Sequence, residues 1–242
     1  MPGQGILKRD LMTKEYYERY WDNKLPKMQF FDGHPVWTEK IIKQYLDFVK
    51  NWIKLHDLIL DYGCGEGHFV NAMKDYQIVG CDISEKAIVR AKKLFPKGLF
   101  TDLDIQGIFD VITIFDVMEH IFDFDELFKF IEDHTQEGSK LIIATNEMCF
   151  SKMLIVGLFY MNTFFHPYSP HIRFFTKLSI RELLFRHGFK VIHQERTRNY
   201  LGLFSKGQFV VAERMSEKAR YWQWHQGDRY TLGRLRELGQ LK

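Results

Sequence analysis

The chain has 242 residues, 45% hydrophobic and 27% charged, with a net charge of +3. That is ordinary globular usage, which excludes disordered and fibrous classes, and the length suffices to bury one sizeable core. Seven Lys/Arg and three Asp/Glu from Arg214 to Lys242 give that segment +4 and leave −1 on the rest. A near-neutral body with a basic tail does not fit a nucleic-acid-binding fold, which spreads a basic face over the domain. Cys64, Cys81 and Cys149 form no CxxC pair, as expected for a reducing, cytoplasmic setting. The N-terminal residues carry no signal-peptide pattern, and the longest apolar run, Met153 to Met161, is short of the ~20 residues of a spanning helix. A soluble cytoplasmic protein is expected.

In chain order, residues 13–21 place Tyr16, Tyr17, Tyr20 and Trp21 on one face of a short helix. Residues 26–35 read as a loop and 37–55 as a second helix, so residues 1–56 form an N-terminal helical cover. Residues 58–62 are a short apolar strand ending at a glycine cluster, and 69–73 start a helix. A strand over 77–81 precedes a helix over 84–95, with Ser84 as its N-cap and Pro96 beyond its end. Strands are predicted over 99–103, 109–115 and 140–145, with a helix over 124–134. A helix over 179–187 and strands over 188–194 and 206–213 follow. Alternating strands and helices imply a parallel sheet covered on both faces. The last connection is too short for a crossover helix, so the final pair is expected to be antiparallel. The core therefore spans 57–213, with an apolar insertion over 146–178 and an appendage over 214–242. That appendage crowds Tyr221, Trp222 and Trp224 together and spaces Leu232, Leu235 and Leu238 as a helical stripe. It either docks on an acidic or lipid surface or folds back on its own domain.

The chemistry concentrates in Leu60-Asp-Tyr-Gly-Cys-Gly-Glu-Gly-His68. Glycines 63, 65 and 67 sit between a strand and a helix, where backbone must turn sharply and approach a ligand. A dinucleotide fingerprint needs its third glycine at position 68, which is His68, and no Gly-Lys-Ser/Thr follows for a P-loop. Asp82 ends the next strand, 21 residues after Asp61, at the distance of a ribose-binding acid. Asp102 ends the strand after that, and Phe115 and Asp116 end the fourth.

These segments resemble the class I S-adenosylmethionine-dependent methyltransferases, most closely the ubiquinone-biosynthesis-like O-methyltransferase branch. The resemblance rests on Leu60 to Phe69, Val79-Gly-Cys-Asp-Ile-Ser84, Phe109 to Ile121, His171-Ile-Arg-Phe-Phe-Thr176 and Gly188-Phe189. It implies a Rossmann-like α/β fold, a seven-stranded sheet of order 3-2-1-4-5-7-6 with strand 7 antiparallel. It also implies S-adenosylmethionine as cofactor. Asp61, Gly63, Cys64, Gly65 and Gly67 are then expected near its methionine part. Asp82 is expected on the ribose hydroxyls and Ile83 on adenine. Asp102 and Leu103 are expected at the adenine edge, with Asp104 as the alternative acid, and Phe115 and Asp116 near the sulfonium.

Glu119 and His120 complete a D-x-x-E-H spacing from Asp116. They either support the loop or take part in a metal step, so the metal content stays open. A hydroxyl acceptor needs a proton acceptor in reach. His171 is the first candidate and His120 the second, with Glu119 beside them. His166 flanks the same loop, and Phe115, Tyr168 and Trp37 are candidates for cation–π attraction. The segment 148–165 reads as a buried helix, a lid over an apolar substrate, or a helix dipping into a membrane surface, of which the lid is preferred. The expected activity is O-methylation of an apolar or aromatic small molecule. A sugar or glycan hydroxyl, or a non-catalytic cofactor-binding module, is the alternative. The expected partner is the small-molecule substrate and not nucleic acid; peripheral membrane contact and a homodimer stay open.

Overall fold

A computed structural model of the chain describes residues 14–22, 39–165, 171–197 and 207–216. The chain divides into two units, Met1–Gly107 and Ile108–Lys242. In the first, α1 (residues 14–21) carries a ladder of edge-on rings, Tyr16–Tyr17 at 5.2 Å and Tyr20–Trp21 at 5.5 Å. Helix α2 (Glu39–Val49) buries Tyr45, Phe48 and Val49. It stops short of the predicted residue 55. The Asn51 side-chain amide donates to the Asp47 carbonyl at 2.8 Å, and such local bonds compete with helical continuation.

Strand β1 (Leu58–Tyr62) leads through the glycine cluster to α3 (His68–Ala72), then β2 (Gln77–Cys81), α4 (Glu85–Leu94) and β3 (Phe100–Thr101). β1 pairs parallel to β2 in register Leu58↔Gln77 to Tyr62↔Cys81, and β2 pairs parallel to β3. Ser84 caps α4 as the sequence predicts, its hydroxyl accepting from the Ala87 N–H. β3 has two residues instead of the predicted five. Asp102 ends it by turning the chain, its Oδ1 accepting from the Asp104 N–H at 3.1 Å.

The second unit runs β4 (Val111–Phe115), α5 (Phe124–Asp133), β5 (Lys140–Asn146), α6 (Phe150–Ile155), a π-helical turn (Val156–Tyr160), α7 (Met161–Phe164), α8 (Lys177–Arg186), β6 (Phe189–Arg196) and β7 (Gly207–Arg214). β4 and β5 are parallel; β7 lies antiparallel between β5 and β6, with a bulge between Val191 and His193. Ile112, Ile114, Leu141, Ile142, Ile143, Val210 and Val211 are fully buried, as expected of central strands covered on both faces. Strand order is β3-β2-β1-β4-β5-β7-β6, the expected seven-stranded Rossmann-like sheet with strand 7 antiparallel.

One boundary is corrected. Arg214 belongs to β7 and pairs with Phe189, and its guanidinium bonds the carbonyls of Glu132 and Thr135. The sheet therefore includes the residue expected to open the appendage, because five donors in a fixed fork match the carbonyls left over at the end of α5. The aromatic cluster at 221–225 and the leucine stripe at 232–238 lie outside the described residues.

Gly67 tests the tightest turn. Its φ is 78°, and a Cβ built there falls 2.4 Å from the buried Phe100 ring. Gly67→Ala should destabilise the protein by about 1–3 kcal/mol, read as a lowered denaturant midpoint. An unchanged midpoint would show that the turn tolerates a side chain.

Candidate functional site

The site in the first unit is built from backbone. Gly63, Gly65 and Gly67 have φ values of 77°, 53° and 78°, a left-handed geometry that costs most side chains strain. The Gly63 and Cys64 N–H groups both donate to the Cys81 carbonyl, at 2.8 and 2.9 Å. The Gly65 N–H donates to Asp82 Oδ2 and the Ser84 N–H to Asp82 Oδ1, both at 2.9 Å. One carboxylate thus ties the glycine loop to the end of β2 and the start of α4. Asp61 and Cys64 are buried behind it, and Ile83 is half-buried beside it. The sequence-predicted residues Asp61, Gly63, Cys64, Gly65, Gly67, Asp82 and Ile83 are therefore gathered in one place.

Helix α1 covers this loop. The Trp21 ring lies 3.3 Å from a Cβ built on Gly65, the Ser84 hydroxyl donates to Glu18 Oε1 at 3.0 Å, and Lys86 bridges to Asp22 at 2.6 Å. Arg90 pairs with Glu66 at 3.2 Å and bonds the Trp21 carbonyl. The sequence reading missed Glu18 and Trp21. Their signal was the aromatic helix itself, whose acidic residues share a turn with its rings. Burial, with Glu18 nearby adding a smaller push, raises the Asp82 carboxyl to about 6, against the lowering effect of its two backbone donors. Asp102 behaves differently: it is exposed and accepts from Thr101 Oγ1 and the Asp104 N–H, so it organises its own turn. Leu103 is half-buried and Asp104 exposed.

The second unit carries the acid–imidazole group. Phe115 is buried at the end of β4, and Asp116 follows at φ 54°, the one positive φ of a non-glycine among the described residues. Such strain persists only where the surroundings impose it, here with the Asp116 N–H held by the Ala144 carbonyl at 2.9 Å. A 3₁₀ turn, Met118–His120, then presents Glu119 and His120. Glu119 is 3% exposed and accepts from the Thr145 hydroxyl at 2.8 Å. Burial pushes its carboxyl up, against the Thr145 bond that pulls it down. The Glu119 carbonyl accepts from the N–H groups of Ile172 and Arg173, at 3.0 and 3.1 Å, which fixes the segment carrying His171. The His120 and His171 rings lie 4.9 Å apart. Burial first, then His120 and Lys152, lowers His171 to about 4, so its imidazole is neutral near pH 7. Ligand atoms of Glu119, His120 and His171 all lie within 4.8 Å of one another, close enough to hold one metal ion.

Beside this group sits a pair the sequence did not reveal. Glu147 is 2% exposed and accepts from Arg196 Nε at 2.9 Å. The two residues are 49 positions apart, beyond any local spacing signal. His166, Tyr168 and Trp37 lie outside the described residues.

The profile of the family described as "Methyltransferase domain" matches residues 37–194. The chain belongs to the methyltransferase-domain family. A juvenile hormone acid O-methyltransferase of Bombyx mori is 33% identical over 76 residues, 28% of this chain and 27% of that protein, so the shared stretch spans about a quarter of that relative. Among solved structures, the magnesium protoporphyrin IX methyltransferase of Synechocystis PCC 6803, with bound SAH, matches with a TM-score of 0.56 and 19% identity over 86% of this chain and 99% of that one. A Burkholderia thailandensis 1,6-didemethyltoxoflavin-N1-methyltransferase matches with a TM-score of 0.61 and 13% identity over 89% and 92%. At these identities the structures share the fold of this methyltransferase domain.

The raised Asp82 group has a signed consequence for stability. An acid whose folded value is about 6 against an ordinary 3.8 contributes stability below pH 3.8 and loses it as pH rises through about 6. Denaturant unfolding at about pH 4.5 and about pH 7 should show wild type losing more stability on the upward step than Asp82→Asn. Identical pH profiles for the two proteins would contradict the assignment.

Proposed function

We propose that the chain is an S-adenosylmethionine-dependent methyltransferase that methylates a hydroxyl of an apolar or aromatic small molecule. The observation that carries the cofactor half is the Asp82 carboxylate, fixed by two backbone donors beside three left-handed glycines. Each Asp82 oxygen spends one acceptor position on an N–H and keeps another, so the pair suits the two hydroxyls of a ribose. Gly65 and Gly67 leave the loop without side chains on that turn. Bound S-adenosylmethionine supplies a methyl group already activated by a sulfonium charge. What remains for the protein is alignment in a dry site and removal of the acceptor's proton. His171, neutral near pH 7 and beside His120, fits the proton acceptor, and Glu119 holds its segment in place through its carbonyl.

The preference for oxygen rests on that imidazole pair and on the spacing Asp116-x-x-Glu119-His120, the feature shared with the ubiquinone-biosynthesis-like branch. The Bombyx mori relative is named as an O-methyltransferase, whereas the Burkholderia neighbour is named for a nitrogen acceptor. A second reading has its own observation: the 4.8 Å grouping of Glu119, His120 and His171 suits a divalent cation that lowers the acceptor's pKa.

Titration calorimetry with S-adenosylhomocysteine should show binding that Asp82→Ala weakens by about 100-fold or more, given the ~1.5–3 kcal/mol of each hydrogen bond to a charged group. A chain that binds no such ligand overturns the cofactor half. Turnover across a panel of phenolic and aliphatic hydroxyl compounds should fall by about 10²–10⁴-fold in His171→Ala at unchanged cofactor affinity. Activity that vanishes on chelation and returns with added divalent cation selects the metal reading; activity indifferent to chelation selects the imidazole alone.

A further inference from the structure

The helical segment from Phe150 to Phe165 turns its apolar side outward. Phe150 is 81% exposed, Met153 56%, Leu154 53%, Leu158 65%, Met161 57% and Phe165 53%. These positions fall at i, i+3, i+4, i+8, i+11 and i+15, one continuous stripe of a helix. Phe159 and Tyr160 flank it, 74% and 55% exposed. In a soluble helix such a stripe faces the core. Here the inward side holds Val156, which is buried, and the one charged residue, Lys152, whose ammonium donates to the Glu147 carbonyl at 3.2 Å and stacks 5.8 Å from the Phe164 ring. The outward face is therefore apolar and uncharged along roughly 24 Å. Exposed apolar patches of that extent mark an interaction surface.

Charge selects the partner. From Met148 to Arg181 the sequence contains no Asp or Glu, and its charged residues are Lys152, Arg173, Lys177 and Arg181. Arg173 is exposed beside Phe122 and Ile172, which are themselves 55% and 46% exposed. An apolar helix face with no acid in its own segment, and with the exposed Arg173 next to Phe174, whose ring lies 5.5 Å from that of Phe165, is complementary to an anionic bilayer, whose headgroups attract a cation while the acyl boundary takes the rings. No helix among the described residues is long and apolar enough to cross a membrane. We infer that residues 150–165 lie in the plane of an anionic lipid surface and hold the protein there as a peripheral membrane protein. This goes beyond the methyl-transfer reading and does not depend on which acceptor is methylated.

Flotation of the full chain with phosphatidylcholine vesicles, plain or containing roughly one quarter phosphatidylglycerol, tests the inference. The wild-type chain should float with the anionic vesicles, less with plain ones, and less again at high salt. The combined variant Phe150→Ser, Leu158→Ser, Met161→Ser should lose about tenfold or more of that binding at an unchanged melting temperature. The single variant Phe159→Ser, at the most exposed of the flanking positions, should lose part of it, which keeps the test decisive if the combined variant folds poorly. Wild type that stays with neither vesicle, or serine variants that float undiminished, would overturn the inference. So would a wild-type dimer in light scattering that the serine variants break apart while vesicle binding is absent, because a second copy would then cover the face.

Discussion

Asp82 is the constraint on which the first unit turns. A buried carboxylate without partners costs several kcal/mol, so its position is tolerable only where donors converge on it. Here Gly65 and Ser84 each supply one N–H at 2.9 Å. Satisfying them requires the loop after β1 to curl back over the end of β2, which in turn requires the left-handed glycines. Gly80 belongs to the same constraint. A Cβ there would fall 2.8 Å from the Cys64 Cβ, so the loop sits against β2 only because that strand residue has no side chain. The loop, the strand end and the helix cap are one hydrogen-bonded assembly, and a binding site made this way is preorganised by folding itself.

The second unit uses a different device. Its site residues hang on two deeply buried acids whose compensation comes from far along the chain. Glu119 is met by Thr145 and offers its carbonyl to Ile172 and Arg173; Glu147 is met by Arg196. Breaking a buried pair by removing one partner is costly because it strands the other charge, so these contacts fix geometry more than they add net stability. The imidazole of His171 is placed by the backbone bonds of its neighbours. Its depressed value follows chiefly from the burial that this backbone imposes, with His120 and the ammonium of Lys152 adding smaller pushes.

Much of this was legible because the signals are local. Alternating glycines, an acid at the end of the next strand and a serine before a helical run each carry their meaning within a few residues. The parallel sheet and its antiparallel last pair followed from element alternation plus one short connection, and the strand order from the resemblance to the class I methyltransferases. The failures are equally physical. β3 shrank because Asp102 bonds its own turn, and α2 stopped early because Asn51 bonds backwards; both are competitions that propensity does not register. The Glu147–Arg196 pair had no signal at all, since sequence spacing says nothing about which distant cation will meet a buried acid.

The segment 150–165 shows the limit most clearly. Helical periodicity tells which residues share a face, but not whether that face points to protein or to solvent. A buried core helix and an outward apolar helix write the same pattern of Phe, Met and Leu. The discriminating residue is Lys152. On a core helix the charged side chain points to water and the apolar stripe points in. Here Lys152 points in, its ammonium on the Glu147 carbonyl and over Phe164, and burial lowers its pKa. Turning an ammonium inward gives up hydration, and the arrangement holds because the Glu147 backbone oxygen and the ring face replace part of it. The inverted polarity of this helix is thus built on the backbone of the residue whose side chain meets Arg196, and the ammonium held there is one of the groups that lower His171, so the apolar surface and the acid–imidazole site share Lys152.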